Sequence, residues 1–158
     1  MLRLTQEADN ALRIMFLLAR AGEKTDAPTL ARRAGIAPQF ALKILRKLKE
    51  RGLVSAALGV RGGYSIALPP DQITVLGVVE TIDGPLYINR CLEEGFVCSR
   101  MGVHTDRCAV NRLLLRVNQS VAAQLGEVTL AELLENDPLL SANDEPSSPC
   151  DLNTDNKK

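Results

Sequence analysis

The chain has 158 residues, a formal net charge of zero, and only 3% aromatic residues with no tryptophan. That length suits one domain plus an oligomerisation element, with a core of Leu, Ile, Val and Ala that favours helices. No apolar run is long enough to span a membrane, and the N-terminus lacks the basic, apolar and small-residue order of a secretion signal. The expected compartment is therefore the cytoplasm, where the four cysteines are not disulfide staples.

Residues 5 to 21 are predicted to form a helix capped by Thr5, with Glu7 and Asp9 in its first turn, where the helix dipole favours negative charge. Ala8, Ala11, Leu12, Met15, Phe16, Leu18 and Ala19 give it a broad apolar face. A second helix begins near Asp26, with Pro28 in the first turn, and Gly35 stops it in the position of a left-handed cap. Gly35-Ile36-Ala37 is the turn, with Ile36 as its apolar plug, and Pro38 opens a third helix. Phe40, Ile44 and Leu48, widened by Ala41 and Leu45, make the buried stripe of that helix, and Gly52 ends it. A β-hairpin with the glycine-rich tip Gly59-Val60-Arg61-Gly62-Gly63 follows, broken at Leu68-Pro69-Pro70. This order of elements is a winged helix-turn-helix.

Charge in this stretch is lopsided. Residues 28 to 64 carry Arg32, Arg33, Lys43, Arg46, Lys47, Lys49, Arg51 and Arg61 against one acid, Glu50. A basic face on a neutral chain points to a polyanion at that face. A helical pair with a solvated basic side is the bland alternative. The hairpin that follows, together with the charge asymmetry, favours duplex DNA. The third helix would enter the major groove, and Arg61 would reach the minor groove from the wing. The DNA-facing set is Thr29, Pro38, Gln39, Lys43, Arg46, Lys47, Arg61 and Gly62.

Thr74 is placed to cap a short helix, Val75 to Ile82, ended by Asp83-Gly84-Pro85. Residues 85 to 108 show no regular periodicity and hold Cys91, Cys98, Cys108 and the one histidine, His104. A loop of that length with three cysteines suggests a metal or redox site. Helical spacing resumes over 109 to 125, where Val110, Leu113, Leu114, Val117, Val121 and Leu125 form a narrow stripe. A DNA reader of this size commonly uses two-fold symmetry on a palindrome, so the stripe is expected to face a twin through Val110, Leu114, Val117 and Val121. Thr129 would cap a last helix, Leu130 to Leu134. From Asn136 the composition becomes that of a disordered acidic tail, in which Cys150 looks incidental. The expected organisation is a DNA-binding domain over 1–84, a cysteine loop over 85–108, a dimerisation helix and short final helix over 109–135, and a tail over 136–158. The fold class is mostly α with a small β-hairpin wing, extended by a long dimerisation helix.

The runs LTQEADNALRIMFLLA, LARRAGIAPQFALKILRKLKERGLV and GVRGGYSIALPPDQITVLGVVETIDGP together resemble the Rrf2 family of bacterial transcriptional regulators, in register from about residue 2 to 134. LARRAGI and GLV occur in many winged helices. RGGY with its following proline, the Ile-Thr-Val helix, Gly84-Pro85 and the cysteine loop directly after them are more specific. The resemblance implies a homodimer with a long crossing helix that binds palindromic operator DNA. It also implies an iron–sulfur cluster held by three cysteines, as in regulators of cluster assembly, nitric oxide and iron. The fourth ligand varies in the family. It is a histidine in the cluster-assembly regulators and a carboxylate of the partner's first helix in the nitric-oxide sensors. Asp9 matches the carboxylate, while His104 is the histidine candidate in the loop.

The chain departs from the family spacing. It reads Cys91-x6-Cys98-x5-His104-x3-Cys108, so His104 stands where a third cysteine is usual. Either Cys108 is the third ligand after a small insertion, or His104 and Cys108 both ligate. Both a two-iron [2Fe–2S] and a four-iron [4Fe–4S] cluster are open. The wing also departs, with Leu58 where members often carry Arg. The resulting expectation is a cluster-controlled DNA-binding regulator, a repressor or an activator, and not an enzyme. A zinc site is the first alternative, since three Cys and one His suit tetrahedral zinc, although a short Cys pair is missing. A cluster-free thiol or partner sensor is the second. An electron-transfer protein is the third, disfavoured by the lack of Cys-x-x-Cys and of a nucleotide-binding glycine motif.

Overall fold

The computed structural model describes residues 4–59, 62–99 and 108–137. Helix α1, Gln6–Ala21, starts where the Thr5 hydroxyl accepts the Ala8 amide at 3.1 Å, and ends on Gly22 in the left-handed region. Its buried side is Ala8, Ala11, Ile14, Met15 and Leu18. Helix α2, Ala27–Ala34, is capped by Asp26, whose Oδ1 accepts the Thr29 amide at 2.8 Å. Its end is closed by Gly35 at φ 68° and by the Ile36 amide donating to Ala31 O at 3.0 Å. That pattern leaves Ile36 packed against the core as the plug of the turn. Helix α3, Pro38–Glu50, buries Ala41, Ile44, Leu45 and Leu48, with Phe40 half-buried beside them.

The wing is an antiparallel pair, β1 Val54–Ala57 and β2 Gly63–Ile66, with Val54 opposite Ile66 and Ala57 opposite Gly63. Tyr64 exchanges both main-chain hydrogen bonds with Thr25, each 2.9 Å, which ties the hairpin to the α1–α2 connection. The glycines here have an internal reason. A Cβ on Gly62 would lie 2.5 Å from Ala57 O, and one on Gly63 would lie 3.0 Å from the Thr25 backbone. Close approach of the wing to its own chain requires them, whatever contact Gly62 also makes with a ligand.

Helix α4, Val75–Asp83, is capped by Thr74, whose hydroxyl accepts the Gly77 amide at 3.0 Å. Its C-terminal Asp83 accepts the Thr5 hydroxyl at 2.6 Å, locking the end of α4 to the start of α1. Helix α5, Ala109–Glu127, is followed by α6, Leu130–Glu135, capped by Thr129. Reciprocal bonds from Val75 to Val128 O and from Leu130 to Ile73 O, both 2.9 Å, return the chain to the domain. Leu130 then joins α1 to α4 in one apolar core. α5 stands apart from that core: Asn111 is its one buried residue.

Three expectations change. The loop after α4 contains, among its described residues, one 3-10 turn, Arg90–Leu92, capped by Asn89. The helix expected over 109–125 runs on to Glu127. The acidic tail does not begin at Asn136: its side-chain amide donates to Glu132 O at 2.9 Å, and the Asp137 carboxylate lies 3.5 Å from Arg20. The rest of the tail, with Cys150, lies outside the described residues, as do Arg61 and His104.

Candidate DNA interface and cysteine loop

The apolar stripe of α3 is fully used in packing, so its opposite side must face outward. Pro38, Gln39, Lys43 and Arg46 are exposed there, with Lys47 half-buried at the edge. Leu42 lies among them and is 47% exposed, although it is a large apolar side chain on a helix whose core stripe is complete. Leu42 is marked in the sequence only as an apolar residue off the stripe and between Gln39 and Arg46. The lysines are held. Lys43 lies 3.1 Å and Lys47 2.7 Å from the two carboxylate oxygens of Glu7 on α1, and Lys43 also sits 5.8 Å from the Phe40 ring centre. The contact with Lys47 is an ion pair without the alignment of a hydrogen bond. The Lys47 ammonium, and then Lys43, outweigh the cost of partial burial and hold the Glu7 carboxyl below the usual glutamate value.

Thr29 serves α2 first. Its amide and hydroxyl both donate to Asp26, at 2.8 and 2.9 Å, and these bonds lower the Asp26 pKa, with Arg32 adding a smaller push. The same hydroxyl accepts from Arg32 at 3.3 Å, so the N-terminus of α2 presents an ordered Asp26–Thr29–Arg32 chain beside α3. The apolar Leu58, fully exposed, stands at the tip of the wing next to Gly59.

The second cluster of sequence-predicted residues lies between α4 and α5. Cys91, Cys98 and Cys108 are all free thiols and half-buried. Cys91 is fixed at both main-chain ends: its amide donates to Asn89 Oδ1 at 3.1 Å, and its carbonyl accepts Asn111 Nδ2 at 2.7 Å. Two helical turns along α5, Asn118 accepts the Ile88 amide and donates to Leu86 O, each at 2.9 Å. Cys108 occupies the N-cap of α5, with no side-chain cap bond. Both asparagines lie off the apolar stripe of α5. They face inward because the loop backbone has no ladder partner and needs donors and acceptors from α5. The apolar stripe is thereby divided. Leu114, Val121 and Leu125 are half-buried, while Val110, Leu113 and Val117 are exposed at 62%, 58% and 44%.

Asp9 lies elsewhere. Its Oδ2 accepts Arg13 Nε at 3.0 Å, and it lines an open hollow of about 480 Å³ with Leu12, Phe16, Arg33, Leu133 and Asp137. No described residue of the cysteine loop lines that hollow. Among the described residues no three Cys, His, Asp or Glu side chains converge on one point. The donor types nevertheless suit a thiolate-held cluster, because three free thiols stand in one segment braced at Cys91 and at the start of α5.

A helix-turn-helix with a tethered wing, an outward basic helix and a long helix with an exposed apolar side define a winged-helix DNA-binding regulator. The model of the Rrf2 family, described as iron-dependent transcriptional regulator, matches residues 4–136. The chain belongs to that family, whose members are transcriptional regulators and not enzymes. It is similar to protein aau3 of Rhizobium meliloti, at 29% identity over 89% of this chain and 90% of that one. It is also similar to the transcriptional regulator IscR of Xenorhabdus nematophila, at 27% identity over 93% of this chain and 88% of that one. Among solved structures, CymR, the global cysteine regulator of B. subtilis, shares the fold with a TM-score of 0.71 at 24% identity, over 87% of this chain and 99% of that one. No helix among the described residues is long and apolar enough to cross a membrane.

Proposed function

We propose that the protein is a cytoplasmic, homodimeric regulator whose binding to palindromic operator DNA is controlled by an iron–sulfur cluster in the 91–108 loop, with redox, nitric oxide or iron status as the signal. The observation that carries this reading is the bracing of the cysteine loop on α5. Asn111 and Asn118 bond main-chain groups of Cys91, Ile88 and Leu86, so a change in the loop is transmitted to the helix whose exposed apolar side would meet the partner. Shifting two α5 helices against each other resets the spacing of two α3 helices, the quantity a palindrome reads. Cys91, Cys98 and Cys108 supply three thiolates, and either Asp9 of the partner subunit or His104 of the same loop supplies the fourth ligand. The cluster, when bound, supplies redox- and nitric-oxide-sensitive iron. Asp9 on the rim of an open hollow that no described residue of its own loop lines favours the cross-subunit arrangement.

Anaerobic purification followed by a visible spectrum and by iron and sulfide assay tests the cofactor. Broad visible absorption with both elements supports the cluster, whereas colourless protein carrying zinc refutes it. A second reading, a cluster-free thiol sensor, is favoured by one observation, the half-buried free thiols that do not converge. Colourless, metal-free protein whose DNA affinity changes with thiol oxidation would establish it.

A further inference from the structure

The two lysines that α3 turns outward are already engaged within the molecule. Glu7 approaches both with one carboxylate, Oε1 at 2.7 Å from Lys47 and Oε2 at 3.1 Å from Lys43, across 36 positions or more of sequence. Its side chain is 18% exposed, while those of Lys43 and Lys47 are 56% and 35% exposed. The carboxylate therefore lies under the ammonium groups, on the protein side, and leaves their outer faces open. An oxyanion touching two ammonium groups is the arrangement a backbone phosphate would adopt with the same two lysines.

We propose that Glu7 is a specificity determinant of DNA binding, an internal stand-in for phosphate that restrains Lys43 and Lys47 and holds down binding to duplexes of the wrong sequence. The proposal rests on α3 being the helix that meets DNA. Binding without sequence preference is almost wholly electrostatic and scales with the phosphates that lysines can reach. In an unregistered complex a lysine must leave Glu7 to find a phosphate, and that exchange removes most of the gain. In the docked register the demand differs. An ammonium has three donors, so a lysine held by Glu7 can bond the carboxylate and a correctly placed phosphate together. Glu7 then positions the lysines in the specific complex, while Gln39, Leu42 and Arg46 on the same face owe nothing to it.

The test compares the intact protein with Glu7→Gln and Glu7→Ala. The probes are a duplex selected from a random library by the parent protein and a shuffled duplex of equal length, each titrated across a salt series. Both variants are expected to bind the shuffled duplex on the order of tenfold more tightly at low salt, with a log–log salt slope steeper by up to about 1.8. Affinity for the selected duplex should rise much less, so the specificity ratio falls. In a Lys43→Ala/Lys47→Ala background the Glu7 substitutions should have no effect, because the coupling is with those lysines. Melting curves by circular dichroism check that each variant is folded. If the Glu7 variants leave affinity and slope for the shuffled duplex unchanged, while the double lysine variant weakens both duplexes, the proposal is wrong and the helix assignment stands. If the double lysine variant binds both duplexes like the parent, the helix assignment fails and the proposal falls with it.

Discussion

Asn111 donates its side-chain amide to the main-chain carbonyl of Cys91 at 2.7 Å, and it is the one residue of α5 that is buried. A buried asparagine on a helix is retained when it satisfies a group that would otherwise stay unpaired, and here that group is the backbone of the first cysteine. Asn111→Ala should cost about 1–3 kcal/mol, the penalty of an unsatisfied partly buried acceptor. The expected outcome is a lower melting temperature with faster amide exchange over residues 86–92. The Asn118 contacts to Leu86 and Ile88 should persist, so the loop loosens from one end. Unchanged exchange would show that the bond does not brace the loop.

The outer side of α3 should carry the DNA contacts. Arg46→Ala should weaken binding by roughly 1–3 kcal/mol if the guanidinium contacts a base edge bidentately, and Lys43→Ala by an amount that depends on its phosphate contact. Leu42 adds a separate expectation. An exposed leucine at that position is suited to a thymine methyl in the major groove. Leu42→Ala should lose affinity for the selected duplex, and replacing one thymine by deoxyuridine should cost the parent the same and the variant nothing. Binding assays with the substituted duplexes decide this, and equal losses in both proteins would remove Leu42 from the interface.

The exposed apolar side of α5 should be the subunit seam. Val117→Asp places a charge among Val110 and Leu113 and should cost about 3–5 kcal/mol if that surface is buried between subunits. Light scattering should show a monomer at concentrations where the parent is dimeric. Leu114→Asp is the less selective change, because Leu114 is half-buried against its own domain and would disturb folding as well. A Val117→Asp protein that stays dimeric places the seam elsewhere.

The ligand set should divide cleanly. Cys91→Ala, Cys98→Ala and Cys108→Ala should each abolish visible absorption and iron retention, because thiolates are the preferred ligands, while Cys150→Ala should leave both intact. Asp9→Ala and His104→Ala, reconstituted without oxygen, distinguish the fourth ligand. Decay in the Asp9 variant alone supports the cross-subunit carboxylate, and decay in the His104 variant alone places the fourth ligand within the loop. A full cluster in Cys108→Ala would overturn the assignment of the third thiolate.

Much of the fold was legible because local rules and tertiary demands agree in it. The caps Thr5, Asp26, Thr74 and Thr129 lie where their hydroxyl or carboxylate precedes an apolar run, and each accepts the amide three residues on. Gly35 could be assigned because a left-handed residue ends α2 there. What resisted reading depends on partners distant in sequence. Glu7 looked like a first-turn dipole residue, and nothing local shows that Lys43 and Lys47 fold onto it. Asn111 and Asn118 lie off the apolar stripe, and periodicity alone assigns an asparagine there to the outer side unless an unpaired backbone lies opposite. The division of the α5 stripe follows from that same loop and could not be seen without it. Leu42 was legible in principle, as an apolar residue on the wrong side of a complete stripe.

The state of the cysteine loop is proposed to set operator affinity. The direct measurement is the affinity of one anaerobic preparation for its selected duplex, before and after the cluster is removed by oxidation and chelation, with Cys98→Ala carried through the same treatment. A change of tenfold or more in the parent, about 1.4 kcal/mol, with no change in Cys98→Ala, is expected. Equal affinity of the loaded and stripped parent, in protein shown by iron and sulfide content to have gained and lost its cluster, would contradict it.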